Sequence, residues 1–495
     1  MKKLPTKPLL VFVLCIGAGF AQARAVRSGF IYAVPSLSGI ATAAPMEYPV
    51  ITHQYEKSTG TLASAASHMP TNDSLDIAVI APNASTDEVT ASEASSKHLL
   101  HSHVTTKPSS PPVTTSTAVD LPISVTVPLS SNISLANQPV SSSGYSASNG
   151  QIYDASGQRV VLRGVNWFGF EGGGHVIHGL WGRNWNSMVT QIKSSGFNAV
   201  RLPICPASLR GASIEQGLVD YSQNADLQGL NSQQVMDKVV NEMNRLGLYV
   251  LIDMHTPDCD KITELWHTPS YPESAWVSDL QGLAERYAAL PYFIGLDLKN
   301  EPHGSATWGT GNASTDWNSA AERAGSAVLS KNSRLLVFIE GIQDSATCSS
   351  STPHFAGINF EPINCTPLKL PANKIVYSPH IYGPDVWLQS YFADPSFPSN
   401  MPKIWTTQFG FLKDQGKTVV PGEWGGKYGT GGGLAQDVTL QDALIKYYAS
   451  KGICSSFYWS WNPNSGDTGG ILKDDWQNVW PAKMALLQTY WNSCH

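Results

Sequence analysis

Two glutamates each close an apolar run, and their surroundings could do chemistry. One is Glu301 in Leu296-Asp297-Leu298-Lys299-Asn300-Glu301-Pro302-His303, the other Glu423 in Val419-Val420-Pro421-Gly422-Glu423-Trp424-Gly425. A pair of carboxyl groups facing each other across a sugar bond is what glycoside hydrolysis needs. One must hold a proton for the leaving oxygen, and the other must be ionised to attack or to activate water. An Asn-Glu-Pro by itself says little, because a structural ion pair also accounts for a lone glutamate. Both segments together, with nearby histidines and tryptophans, say much more.

Positioning these side chains calls for a repeating scaffold. Short β-rich runs occur at Val160–Gly164, Ala199–Pro203, Leu248–Met254, Tyr292–Leu298, Leu335–Glu340, Lys374–Ser378, Thr418–Pro421 and Cys454–Trp459. Helical spacing of apolar residues separates most of them, as in Trp185, Met188, Val189 and Ile192, or Val235, Val239, Met243 and Leu246. Eight strands alternating with helices predict an α/β fold, a (β/α)8 barrel. The fifth and sixth units, between Glu340 and Lys374, are poorly defined by this pattern. A barrel builds its site just beyond the C-terminal ends of its strands. Arg201, His255, Asn300, Glu301, His380, Tyr382, Glu423 and Trp459 all fall at or near such ends. The spacing between the two glutamates corresponds to about three units, hence strands four and seven.

Composition sets the limits of the working domain. All 15 tryptophans and six of the seven cysteines follow residue 150, which places the catalytic barrel at 146–495. Residues 101–145 hold only Lys107 and Asp120 as charged groups in a Ser, Thr, Pro and Val background, so 26–145 is expected to be a disordered region and linker. Lys2 and Lys3, an apolar stretch from Leu9 to Phe20 and Ala21-Gln22-Ala23-Arg24-Ala25 read as a secretory signal peptide, residues 1–25. The apolar stretch is short of the ~20 residues a membrane span requires. A secreted, extracellular protein with no span in the mature chain follows, with surface retention left open. A net charge of −6 and no long basic run argue against a nucleic-acid partner. No Cys-x-x-Cys or His-Glu-x-x-His suggests a metal site, and no cofactor is expected. A surface rich in neutral aromatics suits a sugar ligand.

The ordered set Leu162-Arg163-Gly164-Val165-Asn166-Trp167, Arg201-Leu202-Pro203, Asp253-Met254-His255, Lys299-Asn300-Glu301-Pro302-His303, Ser378-Pro379-His380-Ile381-Tyr382, Gly422-Glu423-Trp424-Gly425 and Trp459-Ser460-Trp461-Asn462-Pro463 resembles glycoside hydrolase family 5, of clan A, and most of all its bacterial endoglucanases. Asn464 to Ile471 is of the same type. The resemblance covers the whole C-terminal domain and none of the first 145 residues. It implies a retaining mechanism with Glu301 as acid/base and Glu423 as nucleophile. It implies that Arg201 and Tyr382 flank Glu423, that Asn300 binds the 2-hydroxyl, that His255 and His380 orient hydroxyls and the acid/base, and that Trp459 floors the cleavage subsite. Further out, Trp181 would stack on a sugar on the non-reducing side, and Trp387 and Gln389 would line the leaving-group side. The cysteines that related enzymes carry near Glu171–Gly174 and Trp308–Gly311 are absent here, so the bridges must differ from theirs. The pairings expected are Cys205 with Cys259, past neighbouring strands, Cys348 with Cys365, and Cys454 with Cys494.

The leading reading is a secreted endo-β-1,4-glucanase acting on cellulose or a related β-glucan as a monomer. A second keeps the mechanism and changes the polysaccharide to mannan, xyloglucan or β-1,3-glucan. A third is a non-catalytic carbohydrate-binding or adhesive wall protein, which would gain nothing from two carboxylates facing a neutral sugar.

Overall fold

In a computed structural model of the protein, the residues described are 26–27, 30–31, 144–259, 261–344 and 347–494. Residues 1–25, expected to be a signal peptide, and nearly all of the 26–145 region lie outside them. Val26–Arg27 (β1) and Phe30–Ile31 (β2) form a two-rung antiparallel ladder.

From Gly144 onward the chain first makes a small antiparallel sheet of Ser146–Ser148 (β3), Gln151–Tyr153 (β4) and Arg159–Val160 (β5). The expected first strand, Val160–Gly164, straddles the end of this sheet and the start of the barrel. The barrel begins at Arg163–Asn166 (β6) and continues through Ala199–Ile204 (β7), Tyr249–Met254 (β8), Phe293–Asp297 (β9), Leu336–Ile339 (β10) and Ile375–Tyr377 (β11), all parallel neighbours. His380–Tyr382 (β12) extends the sixth stave beyond Pro379, which has no N–H for the ladder. It pairs in parallel with Glu423–Gly425 (β13), and Tyr377 bridges Val419 lower down. The seventh ladder therefore runs past Pro421, so Glu423 lies within a strand rather than after it. Ser456–Tyr458 (β14) pairs with β6, and Phe457 and Trp459 N–H groups donate to Pro421 and Trp424 carbonyls. Eight staves close into a barrel.

The helices packed outside are Trp185–Ser194 (α1), Pro206–Leu209 (α2), Ser232–Arg245 (α3), Glu273–Arg286 (α4), Trp317–Lys331 (α5), Met401–Trp405 (α6), Phe411–Asp414 (α7), Ala435–Lys451 (α8) and Pro481–Asn492 (α9). Their starts follow from sequence: Asn184 caps α1, and Asn231 with Gln234 forms a reciprocal capping box on α3. The fifth unit has no α-helix among its described residues. Between Glu340 and Lys374 the prolines 353, 362, 367 and 371 interrupt helical hydrogen bonding, and short 3-10 turns at Glu361–Asn364 and Ala372–Lys374 take its place. All three expected disulfides are present, Cys205–Cys259, Cys348–Cys365 and Cys454–Cys494. Among the described residues no helix is long and apolar enough to cross a membrane.

Strand alternation divides the barrel interior into layers. The lower layer is apolar: Leu162, Ala199, Leu251, Leu336, Phe338, Val376, Val420 and Phe457. Gly164 belongs there because a Cβ would run into the Phe457 ring. The small β3–β5 sheet plugs this layer from below with Tyr145, Ala147, Ile152 and Val160. Tyr145 is bonded at both ends, its N–H to Arg334 and its hydroxyl to Pro291. One strand step above the apolar layer lie Asn166, Arg201, Asp253, Asp297 and Glu340, all without exposure.

The plug gives a stability prediction. A chain starting at Gly144 should unfold at the same temperature as the full sequence. One starting at Leu162 loses three large apolar groups worth about 1.5–3 kcal/mol each, a large share of a domain's ~5–15 kcal/mol. Calorimetry of the two truncations should show an intact transition for the first and a transition lowered by roughly 6–12 °C, or none, for the second.

Candidate active site

The polar layer is organised by one cation. Arg201, on β7, points up the barrel and reaches Glu423 Oε1 at 2.6 Å, Asn166 Oδ1 at 3.0 Å, Asp297 Oδ2 at 3.0 Å, Asp253 Oδ2 at 3.1 Å, Asn300 Oδ1 at 3.2 Å and Glu340 Oε1 at 3.4 Å. Burial pushes Asp297 and Glu340 well above the usual carboxylate range, and neighbouring carboxyls add to that while Arg201 opposes it. Lys299 is equally buried, which lowers it to about 8, and its ammonium donates to the Asn300 carbonyl.

Glu423 and Glu301 share this layer's upper rim but experience opposite fields. Burial would raise Glu423, but His380, Arg201 and His255, together with the Tyr382 hydroxyl donating to Oε2 at 2.6 Å, bring it down to about 2. Glu301 has no arginine. Burial raises it to about 8 against the pull of His380, and the charge of Glu423 adds to the rise. His380 stands between them, with Nδ1 3.1 Å from Glu301 Oε1 and 3.5 Å from Glu423 Oε2. The glutamates each place an oxygen within 4.8 Å of the other and of a His380 nitrogen. Burial and Glu423 keep the Tyr382 hydroxyl protonated, as a donor.

Glu301 itself has a left-handed backbone, φ 49°, a conformation that costs a non-glycine residue about 1 kcal/mol or more. Its N–H donates to Glu340 Oε2 at 2.7 Å. Glu340 was not singled out from the sequence. It does close an apolar run, Leu335–Ile339, just as Glu301 and Glu423 do. Asp253 and Asp297 were also passed over. Asp253 Oδ2 lies 2.6 Å from His255 Nδ1 and orients that ring.

The two glutamates open into a cavity lined also by His255, Asn300, Tyr382 and Trp459. Asp467, Thr468, Phe355, Ala356 and Val386 complete the wall. Trp459 is parallel to Phe168, centroids 5.4 Å apart, and to His255 at 6.0 Å. Its indole donates to Ser465, in the loop that Lys483 holds from beneath through the Thr468 and Gly470 carbonyls. A line of ring contacts continues from Phe168 through His178 to Trp181 and Trp476. Trp181 thus adjoins the cavity's aromatic wall without lining it. Trp387 is half-buried against the core, and Gln389 donates to the His354 carbonyl.

A model of the cellulase family, glycosyl hydrolase family 5, matches residues 153–465. The chain belongs to glycosyl hydrolase family 5. It is a glycoside hydrolase. A major extracellular endoglucanase of Xanthomonas campestris is 56% identical over 369 residues, covering 74% of this chain and 75% of that one. An endoglucanase of Paenibacillus polymyxa is 43% identical, covering 67% and 83%. The catalytic domain of the Xanthomonas enzyme superposes with a TM-score of 0.68 at 57% identity over 70% of this chain and all of that domain. A cellotetraose complex of the endocellulase from Pyrococcus horikoshii gives 0.68 at 43%, covering 71% of this chain and all of that one. The family's chemistry belongs at the C-terminal rim of the barrel, where the two glutamates stand.

Removing Arg201 should be far costlier than removing any one of its partners. Arg201→Met leaves several carboxyls buried without a cation, and breaking such a cluster costs about 3–5 kcal/mol. Urea unfolding of the variant should show that loss. A midpoint equal to that of the unchanged protein would mean the cluster is not held by charge.

Proposed function

We propose that the protein is a secreted, retaining endo-β-1,4-glucanase that cuts internal bonds of cellulose or a related β-glucan. The observation that carries this is the asymmetric carboxyl pair. Each carboxyl has an oxygen within 4.8 Å of one on the other, which favours the ~5–5.5 Å separation of retaining enzymes over the ~6.5–9.5 Å of inverting ones. At neutral pH Glu301 carries a proton and Glu423 does not.

In this reading Glu423, held by Arg201 and Tyr382, attacks the anomeric carbon. Glu301 gives its proton to the departing oxygen as that bond breaks. The product is a glycosyl ester on Glu423, which no longer bears charge, so Glu301 becomes more acidic. Glu301 then takes a proton from water as the water attacks the same carbon, and the ester releases the sugar with its β configuration restored. Asn300, at the cavity wall, binds the 2-hydroxyl in the transition state, and Trp459 forms the apolar floor. Export rests on the basic, then apolar, then Ala-rich start of the sequence and on the extracellular relative. The names of the relatives favour β-1,4-glucan over mannan, xyloglucan or β-1,3-glucan. Reducing-sugar release across carboxymethylcellulose, mannan, xyloglucan and laminarin tests that choice. Carboxymethylcellulose should be cut fastest, and release from none of them would leave a binding protein.

Azide distinguishes the two roles. With an activated aryl β-cellobioside, Glu423→Ala should lose nearly all turnover and recover with azide as the α-glycosyl azide. Glu301→Ala should give the β-glycosyl azide through the intact nucleophile. NMR of the products decides, and exchanged configurations would reverse the assignment.

The pH profile follows from the same pair. Ionised Glu423 is needed, so kcat/KM rises with pH as that group, near 2, loses its proton. Protonated Glu301 is needed, so kcat/KM falls as pH rises through about 8. Glu423→Gln removes a charge that raises Glu301, so ¹³C-glutamate titration of that variant should find Glu301 lower than in the unchanged protein. An unmoved Glu301 would show that the two groups are not coupled.

A further inference from the structure

Hydrolysis by Glu301 and Glu423 leaves Glu340 without a task, yet Glu340 touches the acid/base by two routes. Its Oε2 accepts the Glu301 N–H at 2.7 Å. Its Oε1 lies 3.1 Å from His380 Nε2, a charge contact rather than an aligned hydrogen bond, and the other nitrogen of that ring is 3.1 Å from the Glu301 carboxyl. One carboxyl therefore bears on both the main chain and the side chain of Glu301. The space for it is reserved: Gly357, φ +74°, packs so closely that a Cβ there would collide with Glu340 Oε2. The Gly357 carbonyl is itself bonded to Gly341 N–H, which follows Glu340 in sequence. A left-handed residue persists only where its surroundings over-determine it. At Glu301 the N–H acceptor is this carboxyl, and without it the residue is free to relax toward the ordinary helical or extended regions, taking its side chain with it.

We propose that Glu340 is a positioning residue for proton donation: it holds the left-handed backbone of Glu301 and the ring of His380 so that the Glu301 carboxyl presents its proton to the leaving oxygen. This rests on Glu301 being the acid/base. The inference separates from simple fold support by its dependence on the leaving group. Misplacing an acid by ~1 Å costs about 100-fold where its proton is needed. A phenolate poor at leaving needs the proton, and 2,4-dinitrophenolate leaves without it, so kcat/KM for the latter does not sense the acid.

The test uses the full-length protein with Glu340→Ala, Glu340→Gln and Glu301→Ala, each assayed on phenyl and 2,4-dinitrophenyl β-cellobioside. Glu340→Ala should lose about 100-fold in kcat/KM on the phenyl substrate and less than about threefold on the dinitrophenyl one. Glu340→Gln, which keeps the volume and one carbonyl oxygen, should show the same pattern at smaller amplitude, and it carries the test if the alanine variant does not fold. An equal loss on both substrates, or no loss in either variant, overturns the proposal. Glu301→Ala supplies the reference. If it shows no leaving-group dependence, the acid/base reading fails and takes this proposal with it, whereas a dependence in Glu301→Ala alone overturns only the role of Glu340.

Discussion

Burying a guanidinium costs several kcal/mol unless its donors are met, and at the centre of this barrel Arg201 meets four carboxyls and two amide oxygens. One cation cannot keep four buried carboxyls ionised, so the group settles into inequality. Burial pushes Asp297 and Glu340 up, and Glu423, at the rim, is pulled down by His380 and by the guanidinium. The low pKa of Glu423 thus follows from how charge is shared in and beside the polar layer. Glu301 has no arginine beside it, and burial, with the charges of Glu423 and Glu340, raises it.

The parts of the site that were legible in the sequence were those where a polar residue ends an apolar run. Glu301, Glu423 and His255 stand out because polar chemistry follows a buried strand. Asp253 and Asp297 do not, because their strands are buried on both faces and the period of two that would reveal an inward side chain is erased. Glu340 obeyed the readable rule but had no neighbouring motif to draw attention to it. The eight staves were found close to their true positions, the exceptions being where two- and three-residue strands or prolines broke the pattern. The plug sheet was folded into the first strand, the sixth stave was cut at Pro379, and the seventh was ended at Pro421. The helix missing from the fifth unit matches the stretch that periodicity could not define.

Local covalent and hydrogen-bonded ties explain how the rim keeps its shape on loops. Cys205–Cys259 joins the segments that follow β7 and β8, and so steadies the approach to His255. Lys483, fully buried on α9, holds the loop that supports the Trp459 indole. Cys454–Cys494 fixes the end of that helix to the base of β14. The wall of the cavity is therefore tied to the far end of the barrel through α9, which meets it at Thr468.

The plug also decides where the barrel is tethered. Tyr145 is fastened to Arg334, Pro291 and Lys374, all at the entry ends of their strands, and the glutamates stand at the exit ends. Gly144 and Tyr145 therefore stand on the face opposite the cleft. The sheet that closes the barrel floor and the carboxyls at its rim thus sit at opposite ends of the same staves, and a change in the one reaches the other only through the strands between them.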